Sequence, residues 1–322
     1  MVEPGGPRAA PHLHGRGGAR AGMSRLLVLG NAGIDLLCPV PHLPRPGETL
    51  VAMDQVRAPG GKGLNQAVVA ARAGAAVRFV APVGQDGAAA ELVAALGAEP
   101  LDGLALLPQD APTDLSLLMV AADAENCILS LGAAADALPA AAAEAEAAAL
   151  GPDDMLLVQG NLSRQATAAA MRMAVGRGAR VLLNAAPLRW DMAALLPLCT
   201  LVVANAGEAE ALTGQAGAEA AEALHHAGAG LALVTLGAEG CVAAGRAGTT
   251  HHAATPARAV DTTGAGDTFC GTLAACLLAG DALAPAIAAA QRAAALTVAR
   301  PGAFAALPSA EELRALLAEP RA

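Results

Sequence analysis

The strongest constraint on this chain is an alternation. Short runs rich in Leu and Val recur between longer alanine-rich stretches, most of which close on glycine. The runs are RLLVLG (25–30), VRFVAP (77–82), MLLVQ (155–159), RVLLN (180–184), TLVVA (200–204) and LALVTL (231–236). Each has the length of a strand and is apolar at nearly every position, as a strand buried on both faces must be. The stretches between them, among them 64–74, 87–97, 163–177 and 217–228, read as helices ended by a residue that tolerates left-handed backbone. Strands that alternate with helices join through crossovers, so the order predicts an α/β fold with a doubly wound, mostly parallel sheet flanked by helices.

Two segments break the alternation. Residues 35–58 are Pro-rich and β-like, and residues 113–132 read as a hairpin turning at the Asp-Ala-Glu-Asn sequence 123–126. Together they predict a small β-sheet lid. In open α/β folds ligands bind at the carboxyl ends of the strands, which is where such a lid would sit. The length of 322 residues fits one large domain over 23–322 carrying this appendage. Residues 1–22 show no hydrophobic period and no secretory apolar core, and they are expected to form a disordered N-terminal tail; Met23, just before the first strand, offers an alternative start.

Composition removes several classes of function. The chain has 20 Lys and Arg against 29 Asp and Glu, a net charge of −9, with three Phe, one Trp and no Tyr. The basic footprint and the stacking platform of a nucleic-acid binder are both missing. No run of about 18 strongly apolar residues supports a membrane span. Six cysteines form no C-x-x-C pair. A soluble protein in a reducing, cytoplasmic setting is expected.

Three motifs carry chemistry. In VDTTGAGDTFCG (260–271) glycines open a helix, so backbone N–H groups and the positive end of the helix dipole can converge on an anion. Asp267 beside them can take a proton from an attacking hydroxyl, or it can simply cap its helix. In APGGKGLNQA (58–67), Gly60 and Gly61 permit close approach to a small polar ligand, with Lys62 and Asn65 at the following helix start. This is not a Walker A loop, because Gly63 stands where Ser or Thr is required and Val56 where the first glycine belongs; GNAGID (30–35) likewise lacks a dinucleotide fingerprint. Finally, Asn205 and Glu208 follow a strand, where they can hold water around Mg²⁺ or form a helix N-terminus.

In their order and spacing, GGKGLNQA, the N-x-x-E of 205–208, VTLGAEG (234–240), DTTGAGDTFCG (261–271) and ARPGA (299–303) resemble the ribokinase-like, or PfkB-type, carbohydrate kinases, ribokinases above all. LPRPGETL (43–50) belongs to the same resemblance, which runs from about Arg25 to Leu316. It implies a kinase that moves a phosphoryl group from ATP to a primary hydroxyl of a sugar. Asp267 would be the base, with Gly264, Ala265 and Gly266 as anion hole. Sugar contacts would come from Asp35, Gly60, Gly61, Lys62, Asn65, Asn161 and Asp267. Nucleotide contacts would come from Asn205, Thr235, Gly237 and Gly266. Glu208 is implied for Mg²⁺ through water, and Asp261 for a monovalent cation, generally K⁺. Kinases of this family often dimerise through the lid, so a homodimer is a further expectation.

The chain departs from the family pattern at four places. Gly33 replaces the Asn of N-x-D, Asn161 replaces a Glu, Ala134 replaces the Asn of G-A-N-A, and Ala306 stands where a small hydroxyl residue lies beside the cation. Since polar groups select a hydroxylated substrate, ribose as the acceptor is open to question. A nucleoside, a sugar acid and a non-catalytic sugar-binding role are the alternatives. The last has no need of a base beside an anion hole.

Overall fold

In a computed structural model, residues 24–121 and 125–318 are described; the expected N-terminal tail and residues 123 and 124 of the expected 123–126 turn lie outside them. Chain order begins β1 (Arg25–Leu29), β2 (Gly33–Val40), β3 (Val56–Gly60), α1 (Lys62–Arg72), β4 (Ala76–Val83), α2 (Gly87–Leu96), β5 (Gly103–Pro108), β6 (Asp114–Ala121), β7 (Asn126–Leu131), α3 (Ala133–Ala137) and α4 (Ala140–Ala147). It continues β8 (Met155–Gln159), α5 (Arg164–Gly176), β9 (Arg180–Asn184), β10 (Leu201–Asn205), α6 (Ala206–Thr213), α7 (Gly217–His226), β11 (Leu231–Thr235), β12 (Cys241–Gly245), β13 (Gly248–His252), α8 (Ala265–Leu278), α9 (Leu283–Val298) and α10 (Ala310–Ala318).

The large sheet runs β13-β12-β11-β10-β9-β8-β1-β4-β5, parallel from β11 to β5. Only its far edge, β12 and β13, is antiparallel, a hairpin that the alternation does not announce. Alternate residues of each strand enter different cores. Leu26 and Val28 pack with α1, α8 and α9 on one face, while Leu27 and Leu29 pack with α5 and α7 on the other. Burial on both faces is why these strands read as unbroken apolar runs. Alanines at the facing helix positions, such as Ala67, Ala274, Ala166 and Ala170, let the helices lie close on the sheet.

The expected lid forms a separate sheet, β3-β2-β6-β7, in which β2 and β6 are parallel and the outer pairs antiparallel. The segment 35–58 is less β-like than its sequence suggests. Strand β2 starts at Gly33 and ends at Val40, and 41–55 is irregular. Pro41, Pro44 and Pro46 supply no N–H for a ladder there. Among the described residues no helix is long and apolar enough to cross a membrane, and the six cysteines are free.

Candidate active site

Five parallel strands deliver side chains to one edge of the large sheet. β1 leads into Gly30 and Asn31, β8 into Gly160 and Asn161, β9 into the turn carrying Pro187 and Arg189, while β10 and β11 end on Asn205 and Thr235. Lid residues and the first three of these strand ends together line a cavity of about 430 Å³. Seven of the residues expected from sequence line it: Asp35, Gly61, Lys62, Asn65, Asn161, Gly264 and Asp267.

Helix α1 is set in place by its entry turn. Gly61 has φ 104°, which glycine alone adopts cheaply. Asn31 then satisfies two donors of the first turn: its Oδ1 accepts from Gly63 N at 3.3 Å and its carbonyl from Leu64 N at 3.1 Å. This fixes Lys62 and Asn65 on the cavity wall. Opposite them, Gly264 (φ 80°) opens α8, and no side chain caps that helix. Asp267, in its first turn, turns to α1 instead: its carboxylate accepts from Asn65 Nδ2 at 3.1 Å and from Gln66 Nε2 at 2.9 Å. Gln66 is held in turn by Gln159, whose Nε2 donates to Gln66 Oε1 at 2.8 Å. The capping interpretation of Asp267 therefore fails. A carboxylate that is 5% exposed, lines a cavity and, among the described residues, accepts from two neutral amides retains lone pairs for a hydroxyl proton.

Asp35 faces the same space. Burial pushes its carboxyl up to about 6, against the hydrogen bond from Ser116 and the charge of Lys62, and with the charge of Asp267 adding to the rise. The folded value exceeds the unfolded one. Its protonation therefore favours the folded state fully below about pH 4, and that contribution is lost as pH rises through 6. Asp35→Asn is accordingly expected to melt higher than the parent at pH 8 without sugar, with the gap closing toward pH 4; a gap that ignores pH in thermal melts would contradict the assignment.

Other expected residues lie elsewhere. Gly60 does not line the cavity but makes room for it, since a Cβ there would lie 2.2 Å from Asp35 Cγ. Asn205 and Glu208 form a capping box, with Glu208 N donating to Asn205 Oδ1 at 2.8 Å and Asn205 N to Glu208 Oε2 at 2.9 Å. Thr235 pairs with Asn205 across β10 and β11, and Gly237 (φ 60°) follows it, so these candidates cluster one strand-end further along the sheet. Ala265 N already donates to Thr262 O at 3.3 Å, whereas a Cβ on Gly266 would meet open space. Asp261 ties two loops together. Its Oδ1 accepts from Thr263 N and Oγ1, and its Oδ2 from Gly302 N. Burial raises the Asp261 carboxyl, but the bonds from Thr263 and Gly302 outweigh it and hold the group below its usual range. Cys270 is buried and inert: burial, then the charge of Asp267, push its thiol well up, with Glu208 adding to the rise and Lys62 opposing it.

The cavity also holds residues that the motifs do not single out. Asp114 and Arg189 line it, and Gln66 and Gln159 stand behind Asp267. Gln66 could have been found, since it sits inside the quoted GGKGLNQA block. Asp114 sits in a hairpin read only for its strands.

Comparison with known proteins agrees with this geometry. Residues 23–310 match the model of the pfkB family carbohydrate kinases. The ribokinase of Haemophilus influenzae is 33% identical over 294 residues, covering 89% of this chain and 96% of that one. Among solved structures, a ribokinase from Thermotoga maritima superposes with a TM-score of 0.83 at 26% identity, over 92% of this chain and all (100%) of that one. The ribokinase of Arabidopsis thaliana, solved with ribose and ATP, gives a TM-score of 0.81 at 26% identity over the same shares. A strand-end cavity with a buried aspartate at an uncapped glycine-rich helix start, on this fold and with these relatives, places the chain in the pfkB family of carbohydrate kinases.

Proposed function

We propose that this ATP-dependent carbohydrate kinase phosphorylates a primary hydroxyl of a sugar, with Asp267 as general base and the open start of α8 as anion site. The observation that carries the proposal is the setting of Asp267: buried, bordering the cavity, and held by Asn65 and Gln66 rather than by its own helix. Phosphoryl transfer asks the protein mainly for positioning and charge neutralisation, plus one group to accept the hydroxyl proton. Asp267 takes that proton as the oxygen attacks. The N–H groups around Gly264 and Gly266, backed by the α8 dipole, and Lys62 neutralise the transferring group. Among the described residues Asn65 Oδ1 and Asn161 Oδ1 are buried acceptors without a partner, which suits donors on a polyhydroxylated ligand.

Asn205, Thr235 and Gly237 are assigned to ATP. They lie two to three strands along the sheet from β8, about 10–15 Å at normal strand spacing, which leaves room for a nucleotide beside the sugar. Mg²⁺ neutralises the phosphates when bound. No group of three or more His, Cys, Asp or Glu could hold a metal among the described residues. Glu208 would reach such an ion through water by the oxygen that its capping box leaves open. For K⁺ beside Asp261 the fit is thinner. Both carboxylate oxygens already accept protein donors and the Ala306 side chain brings no oxygen, so no step is assigned to that ion.

Purified protein with ATP, Mg²⁺ and K⁺, offered pentoses, hexoses, sugar acids and nucleosides while ADP is measured, tests the proposal. ADP formation dependent on a neutral sugar is expected. A panel that yields none removes the activity, and turnover of nucleosides alone moves the acceptor to that class. The lid also carries exposed Val56 on one edge strand and Ile128, Leu129 and Leu131 on the other, each more than half exposed. Apolar edge strands pair readily, so a homodimer through the lid is assigned. Light scattering after size exclusion should give twice the 31.5 kDa chain mass, and a monomer at micromolar concentration would overturn it.

A further inference from the structure

Two of the departures from the family pattern converge on one side chain. Gly33 pairs with Asp114 in the β2–β6 register, and a Cβ at 33 would lie 2.5 Å from the Asp114 carbonyl oxygen and 2.9 Å from its Cβ. Ala134, where an amide side chain is expected, instead donates its backbone N–H to Asp114 Oδ1 at 3.1 Å, beside Ala135 N at 3.2 Å. Asp114 is thus packed against both positions at which the family pattern has an amide. It is 6% exposed, lines the cavity, and takes no hydrogen bond at Oδ2 from any described residue. The nearby cation favours the charged form of Asp114 but gives it no hydrogen bond: Arg189 donates through Nη1 to Asn161 O at 2.6 Å and through Nη2 to Asp136 Oδ2 at 2.7 Å.

Resting on the kinase reading above, we propose that Asp114 determines substrate specificity: its Oδ2 accepts a hydroxyl of a neutral polyhydroxylated acceptor, and its charge turns away sugar acids. With Asp35 and Asp267 it makes three carboxylates around a space lined by two side-chain cations, Lys62 and Arg189, the second of them bonded to Asp136. An acidic substrate brings a fourth negative charge into that low-dielectric space, whereas a hydroxyl gives Oδ2 the donor it lacks. Burial, with the charge of Asp136 adding to it, pushes the Asp114 carboxyl up to about 6 against the bonds from Ala135 and Ala134 and the charge of Arg189. If Asp114 served only to close the first turn of α3, an Asn side chain would replace it without consequence for substrates.

The test is calorimetric binding of D-ribose, D-fructose, adenosine, D-ribonate and D-gluconate to the wild type and to Asp114→Asn, alongside ADP formation from each and the melting temperature of both proteins. The wild type is expected to prefer a neutral ligand over its carboxylate counterpart by at least about 10-fold. Asp114→Asn is expected to weaken the neutral ligand about 10- to 100-fold, as loss of a hydrogen bond to a charged group does, and to shrink that preference by about 10-fold. Equal affinities in both proteins, or a wild type that favours the acid, overturn the proposal, the second even if the variant fails to fold. Asp114-dependent binding without ADP formation leaves this assignment standing and removes the kinase activity. Turnover that is blind to residue 114 does the reverse, and a wild type that binds no ligand of the panel overturns both. Whether the hydroxyl belongs to a free sugar or a nucleoside is read from ribose against adenosine.

Discussion

Asp267→Asn is expected to lower kcat by roughly 10² to 10⁴-fold or more while leaving ATP affinity nearly intact. The substitution keeps shape and volume, and the amide oxygen can still accept from Asn65 or Gln66, so the cavity should survive. What it removes is basicity. In the hydroxyl attack the other cavity carboxylates do not replace it, since Asp35 and Asp114 stand on the lid strands β2 and β6 rather than at the start of α8. Steady-state rates together with a direct nucleotide-binding measurement distinguish lost chemistry from lost binding. Turnover within a factor of a few of the wild type would take Asp267 out of the mechanism.

Gly60→Ala should give the second largest effect, by another route. Gly60 ends β3 opposite Gly33, and the added methyl would lie 2.2 Å from Asp35 Cγ and 2.4 Å from each of its carboxylate oxygens. Contacts that short cannot persist. The carboxylate is the free end of its side chain, so it swings aside more cheaply than either strand moves. The fold should therefore hold while Asp35 leaves its place on the cavity wall, and a displacement of about 1 Å at such a site can cost on the order of 10²-fold. We expect kcat/KM for the sugar to fall by about that factor, carried chiefly by KM, with the melting temperature within a few degrees of the parent. A variant that unfolds, or one with an unchanged sugar KM, would show that Gly60 serves the lid rather than Asp35.

The reach of the sequence differs between fold and site. The parallel core was legible because burial on both faces leaves an unbroken apolar run, and RLLVLG, MLLVQ and RVLLN appear as β1, β8 and β9 with ends shifted by at most one residue. The β12–β13 hairpin was not. CVAAG and GTTHH carry neither alternation nor a strong β-branched signal, and only their position at the sheet edge makes them strands. Within the lid, the proline-rich 41–55 segment lacks the donors for the ladder it was expected to join.

At the site, local pattern named residue types and tertiary structure distributed their roles. Asp267 and Glu208 both stand in the first turn of a helix after a strand, and from sequence both can be caps. In the fold Glu208 does cap, bonded to Asn205 three residues before it. Asp267 is instead held by side chains 201 and 202 residues away in sequence. Asp114 was invisible in the sequence for the same reason, since the register with Gly33 and the other residues lining its cavity come from distant parts of the chain. The sequence by itself determined the strand–helix rhythm, the glycine turns and hence the class of chemistry, because these depend on contacts within a few residues. Which carboxylate faces substrate, which caps a helix and which clasps a loop was decided only when separate strand ends met, because burial and hydrogen-bond partners there come from residues that no local pattern relates.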